Sequence, residues 1–359
     1  MWGDAMARLV EDAWTGDAAR HRLTVAALRP LAAVYGGVVR ARNLAYDRGW
    51  SRVERVPATV LGVGSLTVGG SGKTPVAIWL AETLLQRGRR VAIVGRGYGK
   101  RQSGVVVVGA NGRVLVEPAI GGDEAVLAAS RVAVPVVTAE RRVLAAREVC
   151  MRFGCDTIVL DDGFQHRGLA RDADLVLVPA DGLPQRLLPA GPLREDRGAL
   201  RRARAVLALG DETRVPSRPE VPPGVAAFVG RIIPTAAVTA EGDRLLTHDL
   251  AGIPRRGAVA VAGVARPERF WSMLERLGIM TLEQMRFPDH HVYDAADVAR
   301  LRTIGAAIVT TEKDLVKLAR LPGAEALDLW AVRVEVVVEE GGRLVDRLLE
   351  PAEVALRRD

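Results

Sequence analysis

Cysteine, lysine and aromatic residues are all scarce in this chain of 359 residues. The two cysteines, Cys150 and Cys155, are too few for a disulfide framework or a four-thiolate zinc site. Aromatic side chains make up 4% of the residues, and they are not interleaved with basic residues as in proteins that stack on bases. We therefore expect no nucleic-acid partner, and no pattern in the sequence indicates an obligate protein partner.

Lysine accounts for only four of the 50 Lys and Arg residues, at Lys73, Lys100, Lys313 and Lys317. Lysine offers a compact ammonium group, whereas arginine offers a planar guanidinium fork. In a chain that uses arginine almost everywhere, each lysine is a candidate for chemistry that needs the ammonium group. The alternative is that some of the four survive by chance on the surface.

The rest of the composition is that of a folded chain with a basic excess. A hydrophobic content of 49% with 26% charged residues excludes a disordered chain. The length predicts more than one domain, because single cores stop growing at roughly 250–300 residues. The formal net charge of +7 suits nucleic acid, an anionic membrane surface or a phosphorylated substrate.

The basic excess is concentrated in residues 20–55, which contain eight arginines and two acidic residues. Within this segment the apolar stretch Leu23–Val39 is interrupted by Arg29 and Pro30. It is shorter than the about 20 unbroken apolar residues expected of a bilayer span. An apolar helix with arginines at both ends suits an interfacial anchor on an anionic leaflet. A helix packed on the protein's own core, with solvated arginines, is the alternative.

Short β-branched runs alternate with helical stretches from Ala58 onward, which predicts βαβ units and a mostly parallel sheet covered on both faces. In the first part we predict strands at Thr59–Val63, Arg90–Val94, Val105–Val108, Val134–Val137, Thr157–Leu160, Leu175–Val178 and Ala205–Leu209, and helices at Pro75–Arg87 and Ala139–Phe153. A second set comprises strands at Ala258–Ala262, Ala307–Thr310 and Val332–Val338 and a helix at Pro267–Leu277.

The strongest motif is VLGVGSLTVGGSGKTP at Val60–Pro75, a strand that runs into a glycine-rich turn and then a helix. Such a turn lets backbone N–H groups converge on phosphate oxygens at a helix N-terminus. Lys73 would reach the β- and γ-phosphates, and the Thr74 hydroxyl would bind Mg²⁺. The strict GxxxxGK[ST] pattern fails, because Thr67 stands at its first glycine position. The predicted nucleotide-binding residues are Thr67, Gly69, Gly70, Ser71, Gly72, Lys73 and Thr74; the alternative is a glycine-rich turn without a ligand.

A second motif, TIVLDDGFQHR at Thr157–Arg167, ends an apolar strand in Asp161 and Asp162. Nucleotide-binding folds place at such a strand end the carboxylate that holds Mg²⁺, directly or through water. Two adjacent acids could instead cap a turn. Combined with the phosphate loop, the pair predicts a metal site of Thr74, Asp161 and Asp162, without indicating which Asp is the inner ligand.

These motifs predict an α/β fold: a P-loop NTPase-like domain with a mostly parallel sheet and a second, smaller α/β domain, with an N-terminal helix that is either membrane-associated or packed on the core. The proline-rich stretch RVPSRPEVPPG reads as a linker. We expect an N-terminal helical segment at residues 1–50 that is part of the first domain and a P-loop core at 51–213. The linker is expected at 214–224, and a C-terminal domain that closes the cleft at 225–359.

Several further motifs occur together and in one order along nearly the whole chain. They are RGYG (96–99), GDE (122–124), DDGFQH (161–166), LLPAGPLRE (187–195), ARPERF (265–270), DHH (289–291) and TEKD (311–314). With the GGxGKTP loop, this set resembles the tetraacyldisaccharide 4′-kinases, the lipid A 4′-kinases of Gram-negative bacteria. One departure is Ser65, where an asparagine is expected in the family's loop. It puts the loop's hydrogen bonding in doubt, not its role.

The resemblance implies transfer of the γ-phosphoryl group of ATP to the 4′-hydroxyl of a tetraacylated glucosamine disaccharide 1-phosphate, with ATP and Mg²⁺ as cofactors. It also implies a lipid substrate, and peripheral attachment to the cytoplasmic face of the inner membrane through the N-terminal helix. A rival function is a P-loop ATPase or GTPase switch that acts on a protein partner at the membrane. Against the switch, Val68 occupies the position of the first lysine of the KGGxGK form that such switches use.

The resemblance further implies a base made of an Asp and a His, which match Asp123 and His290 here, with Lys73 as the third catalytic residue. We choose His290 over His291 because the first His of the pair is the steadier family feature. A carboxylate that accepts from an imidazole can orient it and share its proton. Without the resemblance, Asp123 would read as the N-cap of a helix and the two histidines as a turn.

Arg194 and Lys313 are the remaining candidates, for contact with substrate or for stabilisation of charge. The Arg194 guanidinium suits a transferring phosphoryl group or a substrate phosphate. It could equally pair with Glu195 or Asp196. Lys313 could face nucleotide or substrate, or merely cap a turn.

Overall fold

The structure, a computed structural model, describes Trp14 and residues 19–241 and 244–351. The outer parts of the predicted segments 1–50 and 225–359 therefore lie outside the described residues.

The first part of the chain alternates strands and helices, as its sequence predicts. Its elements are α1 (Ala19–Asp47), β1 (Thr59–Ser65), α2 (Lys73–Gln86), β2 (Val91–Gly95), β3 (Val106–Ala110), β4 (Arg113–Val114), α3 (Pro118–Gly121), α4 (Asp123–Arg131), β5 (Val136–Thr138), α5 (Arg142–Phe153), β6 (Thr157–Asp161), β7 (Ala173–Pro179) and β8 (Ala205–Gly210). The expected linker at 214–224 contains neither helix nor strand.

The second part contains β9 (Ala226–Glu241), β10 (Arg244–His248), β11 (Arg256–Ala262), α6 (Pro267–Arg276), β12 (Met280–Arg286), α7 (Ala295–Ile304), β13 (Ile308–Thr311), α8 (Glu312–Leu318), β14 (Leu329–Val338) and α9 (Gly341–Leu349). The sequence predicted β11, α6, β13 and β14. It did not predict β9, β10, β12, α7, α8 or α9.

One sheet runs through both parts, in the order β12-β11-β13-β14-β9-β8-β7-β1-β6-β2-β5-β3-β4, with β10 paired to β9. The long strand β9 joins the two parts, since it pairs in parallel with β8 and antiparallel with β14. Most pairings, including all those of β1, are parallel, so the predicted mostly parallel α/β fold is confirmed. The boundaries proposed for two domains remain a prediction.

The central strands are buried on both faces, which explains their unbroken apolar sequences. Alternate residues of a strand point to opposite faces of the sheet. Leu61 and Val63 of β1 belong to the core cluster that also contains residues of α2, α4 and α9. Val60 belongs to the cluster that contains the apolar face of α5. This arrangement fixes β1, and with it the loop that follows.

Helix α1 is the least buried long element among the described residues. A 26-residue part of it, residues 22–47, has the length and hydropathy of a membrane-crossing helix, with 17% of the apolar window buried. Leu23, Leu31, Val34 and Val38 are exposed, and their spacing places them along one face. This apolar helix fits peripheral membrane association, and its opposite face packs on the protein, where Val25 and Ala32 are buried with Ala190.

Candidate active site

The loop between β1 and α2 has the backbone that its glycines predict. Gly69 and Gly72 have φ values of +84° and +77°, a region that side-chain-bearing residues rarely adopt. A Cβ atom on Gly72 would also lie 2.6 Å from Leu209 Cδ2. Gly72 immediately precedes α2, so the loop's N–H groups lead into the positive end of the helix dipole.

Ser65 and Thr67 lie beneath the loop and tie its start to the end of β1. The Thr67 N–H donates to Ser65 Oγ at 3.0 Å, and the two hydroxyl oxygens are 2.9 Å apart. Gln165 Nε2 donates to the Ser65 carbonyl at 3.1 Å. Both residues are buried, and Thr67 does not line the main cleft, unlike Gly69–Thr74. Serine therefore makes the local hydrogen bonds here, at the position where asparagine was expected.

Thr74 and Asp161 are in direct contact at the sheet edge. The register of β1 and β6 sets Asp161 opposite Val63, and Thr74 Oγ1 donates to Asp161 Oδ2 at 2.9 Å. The other carboxylate oxygen, Oδ1, is buried without a hydrogen-bond partner among the described residues. Burial raises the pKa of Asp161, and the neighbouring carboxylates Glu124 and Asp162 raise it further. A buried carboxylate oxygen without a donor is the environment that a bound cation would satisfy.

The carboxylate of Asp162 contacts two positively charged side chains of the protein, Arg194 and Lys73. Arg194 Nη1 lies 2.9 and 3.0 Å from its two carboxylate oxygens, and Lys73 Nζ lies 3.8 Å from Oδ1. Burial alone raises the pKa of Asp162, but Lys73 and Arg194 outweigh it, so the pKa lies below its ordinary value. The backbone of Asp162 has a φ of +50°, an uncommon conformation that turns the chain at the strand end.

Arg194 pairs with this aspartate rather than with its sequence neighbours. Glu195 instead accepts from Arg202 and Asn43, and Asp196 lies 3.4 Å from Arg40. The Arg194 backbone carbonyl accepts from the Tyr35 hydroxyl of α1 at 3.0 Å. Helix α1 is thereby attached to the segment that carries Arg194.

Asp123 and His290 lie in contact although they are 167 residues apart. His290 Nδ1 lies 3.0 and 3.1 Å from the two carboxylate oxygens of Asp123. Asp123 is the first residue of α4, and its Oδ1 also accepts the N–H of Glu124, so it takes part in the start of the helix as well. His290 has a φ of +58°, the third described non-glycine residue with positive φ. Strained backbone of this kind is often found at functional sites.

His291 points elsewhere. Its Nε2 lies 2.8 Å from Asp297 Oδ2, and its ring contacts the rings of Phe287 and Tyr293. The structure thus places His290, and not His291, against Asp123.

Two of the four lysines surround the Asp123–His290 pair. Lys313 Nζ lies 3.1 Å from Asp289 Oδ1, 3.4 Å from His290 Nε2 and 3.6 Å from Asp123 Oδ2. Lys317 Nζ lies 3.9 Å from the same Asp123 oxygen and 2.9 Å from Asp314. Lys313 therefore faces the pair directly.

These contacts set the proton affinities of the pair. Burial alone raises the pKa of Asp123, but the hydrogen bond with His290 and the charges of Lys313 and Lys317 lower it to about 2. Burial alone lowers the pKa of His290, but its hydrogen bond with Asp123 and the charges of Asp123 and Asp289 together raise the pKa above the ordinary value. Asp123 is therefore ionised at neutral pH and His290 is a stronger base than a free imidazole.

One cleft of about 1260 Å³ contains both groups of residues. The loop residues Gly69–Thr74, Asp161 and Asp162 line one end, and His290 and Lys313 line the other. Tyr98 of the RGYG motif also lines it, with its ring centroid 4.9 Å from that of His290. In the described part of the chain, no group of three or more His, Cys, Asp or Glu side chains is placed to hold a metal ion.

Sequence reasoning assigned no role to Lys317, Asp289 or Tyr98. The scarcity of lysine was a signal for Lys317, but nothing in its spacing pointed to Asp123. The contact of Asp289 with Lys313 depends on how α8 packs, and tertiary contacts of this kind leave no trace in the local sequence.

Comparison with known proteins gives one consistent result. The profile of the family described as Tetraacyldisaccharide-1-P 4′-kinase matches residues 24–352. A tetraacyldisaccharide 4′-kinase of Halorhodospira halophila is 41% identical over 318 residues, which are 88% of this chain and 89% of that protein. One of Chromobacterium violaceum is 36% identical over 92% of this chain and 94% of its own length.

A solved structure agrees with these relatives. The crystal structure of an "apo" form of LpxK from Aquifex aeolicus in complex with ATP is similar to this chain with a TM-score of 0.76 at 30% identity. The similarity covers 90% of this chain and 98% of the other. The chain therefore belongs to the tetraacyldisaccharide-1-P 4′-kinase family.

Proposed function

We propose that this chain transfers the γ-phosphoryl group of ATP to the 4′-hydroxyl of a tetraacylated glucosamine disaccharide 1-phosphate, a step of lipid A biosynthesis. The observation that carries the proposal is one cleft that is lined both by the phosphate loop and by His290, which contacts Asp123. The family relationship favours this kinase activity over a nucleotide-dependent switch.

The loop would bind ATP through its backbone N–H groups and Lys73. Lys73 Nζ already lies 3.2 Å from Ser71 Oγ within the loop, so its ammonium group is held where phosphate oxygens would lie. Arg194 adds a second positive charge next to Asp162. Arg194 and Lys73 together would balance the negative charge that develops on the transferred group.

Thr74 and Asp161 fit a Mg²⁺ site. Mg²⁺ in phosphoryl-transfer enzymes keeps waters and phosphate oxygens as ligands, so one or two protein ligands suffice. The unpartnered Asp161 Oδ1 offers a ligand, whereas both oxygens of Asp162 contact Arg194. We infer that Asp161 is the inner acidic ligand and that Asp162 orients Lys73 and Arg194. When bound, Mg²⁺ neutralises charge on the β- and γ-phosphates.

The Asp123–His290 pair would accept the proton of the sugar hydroxyl. A hydroxyl group is a weak nucleophile, and a positioned base helps it by taking its proton as the new bond forms. A carboxylate with a pKa of about 2 is a weak base alone. Since His290 lies at hydrogen-bond distance, the proton affinity belongs to the pair rather than to either residue.

Helix α1 would bring the enzyme to its lipid substrate. Its exposed apolar face suits the interfacial region of a bilayer, and the eight arginines of residues 20–55 suit an anionic leaflet. Tyr35 and Arg42 of α1 also line the cleft, so the helix connects the membrane surface with the site. We infer peripheral attachment at the cytoplasmic face of the inner membrane, where ATP is present.

The test is a transfer assay with the full chain, Mg·ATP labelled at the γ-phosphate and tetraacyldisaccharide 1-phosphate in anionic vesicles. We expect a labelled bisphosphorylated lipid, and none from a control lipid whose 4′-hydroxyl is blocked. Hydrolysis of ATP without labelled lipid would contradict the proposal. Vesicles of zwitterionic lipid should retain less protein on sedimentation, and equal retention would contradict the electrostatic part of the membrane attachment.

A further inference from the structure

Two arginines from the second part of the chain face the phosphate loop across the cleft. Arg266 and Arg269 belong to the ARPERF motif, between the end of β11 and the first turn of α6. Both line the main cleft, and both also line a small side pocket together with Gly69, Gly70 and Ser71.

The segment that carries these arginines packs directly on the loop. The Cβ atom of Ala265 lies 3.7 Å from the position that a Cβ on Gly69 would occupy, and 3.9 Å from that on Gly70. The segment therefore lies within van der Waals reach of a Cβ atom at these two loop positions. The start of α6 forms a second wall opposite the loop.

Neither guanidinium group has a hydrogen-bond or ion-pair partner within the part of the chain that the structure describes. The carboxylate of Asp211 raises the pKa of Arg269 by its charge, but its hydrogen bonds are made elsewhere. It accepts from the Thr213 N–H and hydroxyl. Arg269 is half-buried, and burial together with the charge of Arg266 lowers its pKa. Charged groups withdrawn from water are normally paired, so these two lack an anion.

Arg194 and Lys73, in contrast to these two arginines, have an acidic partner. Arg194 contacts both carboxylate oxygens of Asp162, and Lys73 lies near the same group. Their charges are partly balanced within the protein. Arg266 and Arg269, which share the side pocket with Gly69–Ser71, have no such acidic partner among the described residues.

We infer that Arg266 and Arg269 complete the nucleotide site as positioning residues that donate hydrogen bonds to the polyphosphate of ATP, opposite the loop. The inference rests on the proposed function only in taking a nucleoside triphosphate as the ligand. A guanidinium group presents paired N–H donors that match phosphate oxygens. The lipid substrate also carries a phosphate, so the same chemistry has a second possible source, which the experiment separates.

The experiment compares Arg266→Ala, Arg269→Ala and the double variant with Arg286→Ala as matched control. Arg286 lies on the neighbouring strand β12, and its only ion pair with a described residue is the exposed one with Glu268. Binding of ATP, ADP and AMP is measured by calorimetry without lipid, and KM values for ATP and lipid are measured in the transfer assay.

For the double variant we expect ATP and ADP affinity to fall at least about tenfold, because charge-assisted hydrogen bonds are the strong ones. AMP affinity should fall less, and the KM for lipid should stay unchanged. Arg269→Lys should recover part of the affinity, which a purely structural role would not produce. The control should bind all three nucleotides like the parent chain.

Three outcomes would overturn the inference. A raised KM for lipid with unchanged ATP affinity would assign the arginines to the lipid phosphate. An equal loss for AMP and ATP would assign them to the nucleoside. If the variants lost nucleotide affinity together with a lowered melting temperature, and Arg269→Lys recovered none of that affinity, the arginines would have a structural role. Because nucleotide binding is measured without lipid, a failure of the proposed lipid acceptor would leave this result unaffected.

Discussion

The two ends of the cleft are built in different ways. The phosphate end, defined as Lys73, Thr74, Asp161 and Asp162, comes from the carboxyl ends of two adjacent parallel strands, β1 and β6. The dyad end, defined as Asp123, His290 and Lys313, comes from three segments that are far apart in the sequence. The phosphate end lies within one part of the chain, whereas the dyad end exists only where both parts meet.

The two ends also shift the pKa of a buried carboxylate in opposite directions. Asp161 and Asp123 are both buried. Burial dominates at Asp161 and raises its pKa, whereas His290 and the two lysines lower the pKa of Asp123 to about 2. Groups whose environments push their pKa values apart serve different roles. At the phosphate end Asp161 Oδ1 has no hydrogen-bond partner among the described residues, whereas at the dyad end Asp123 contacts His290 and two lysines.

The largest effect is expected from Asp123→Asn at the dyad end. The amide cannot share a proton with His290, so we expect kcat to fall by about 10²–10⁴-fold, the usual contribution of a positioned base. ATP affinity should stay unchanged, because the phosphate end is built from other residues. Single-turnover transfer and calorimetric ATP titration measure the two quantities separately.

Asp156→Asn is the matched control for this variant, since Asp156 makes an exposed pair with Arg90 at the start of β6. It should keep both quantities. If Asp123→Asn kept a near-full transfer rate, Asp123 would not belong to the base. If it lost ATP affinity as well, the two ends would not be separable.

Much of the phosphate end could be predicted from the sequence because its residues are local. The loop is contiguous, and Asp161 ends a strand whose apolar run fixes its place beside β1. The hydrogen bonds of Ser65 and Thr67, however, depend on the fold of the loop itself. Thr67 lies beneath the loop and lines the small side pocket rather than the main cleft, and its role as a nucleotide-binding residue remains a prediction.

The dyad end could not be derived in this way. Asp123 and His290 were identified by resemblance, because no local pattern relates two residues on different segments. The strands that support the second part were also harder to predict. Strand β12 lies at the sheet edge and is exposed along most of its length, and the alternation in its sequence MTLEQMR breaks after Glu283.

The second prediction concerns what holds the dyad end together. Helices α4 and α8, which begin at Asp123 and Glu312, are joined by a buried ion pair between Arg131 and Glu312, whose side chains are 9% and 5% exposed. Arg333 of β14 also contacts Glu312, at 2.8 Å. Glu312→Gln would remove the charge that both arginines contact and leave Arg131 only its longer pair with Glu335, at 3.8 Å. This should lower the free energy of unfolding by about 3–5 kcal/mol.

Urea unfolding followed by circular dichroism measures this loss. Asp346→Asn, which breaks an exposed pair with Arg87, should cost no more than about 1 kcal/mol. Equal losses in the two variants would mean that the Arg131–Glu312 contact does not join the two parts. A large loss limited to Glu312→Gln would show that the dyad end depends on it.

The smallest effect is a shift in pH dependence that belongs to the dyad end alone. Imidazolium cannot accept a proton, so transfer should slow as the pH falls through the pKa of His290, which lies above about 6.5. The charge of Lys313 lowers this pKa, while Asp123 and Asp289 raise it. Lys313→Met should therefore move the acid limb of the single-turnover rate to higher pH, and the exposed control Arg300→Met should not. An acid limb that does not move would mean that the charge of Lys313 does not lower the pKa of His290. If ATP affinity fell over the same pH range, the titrating group would belong to the phosphate end.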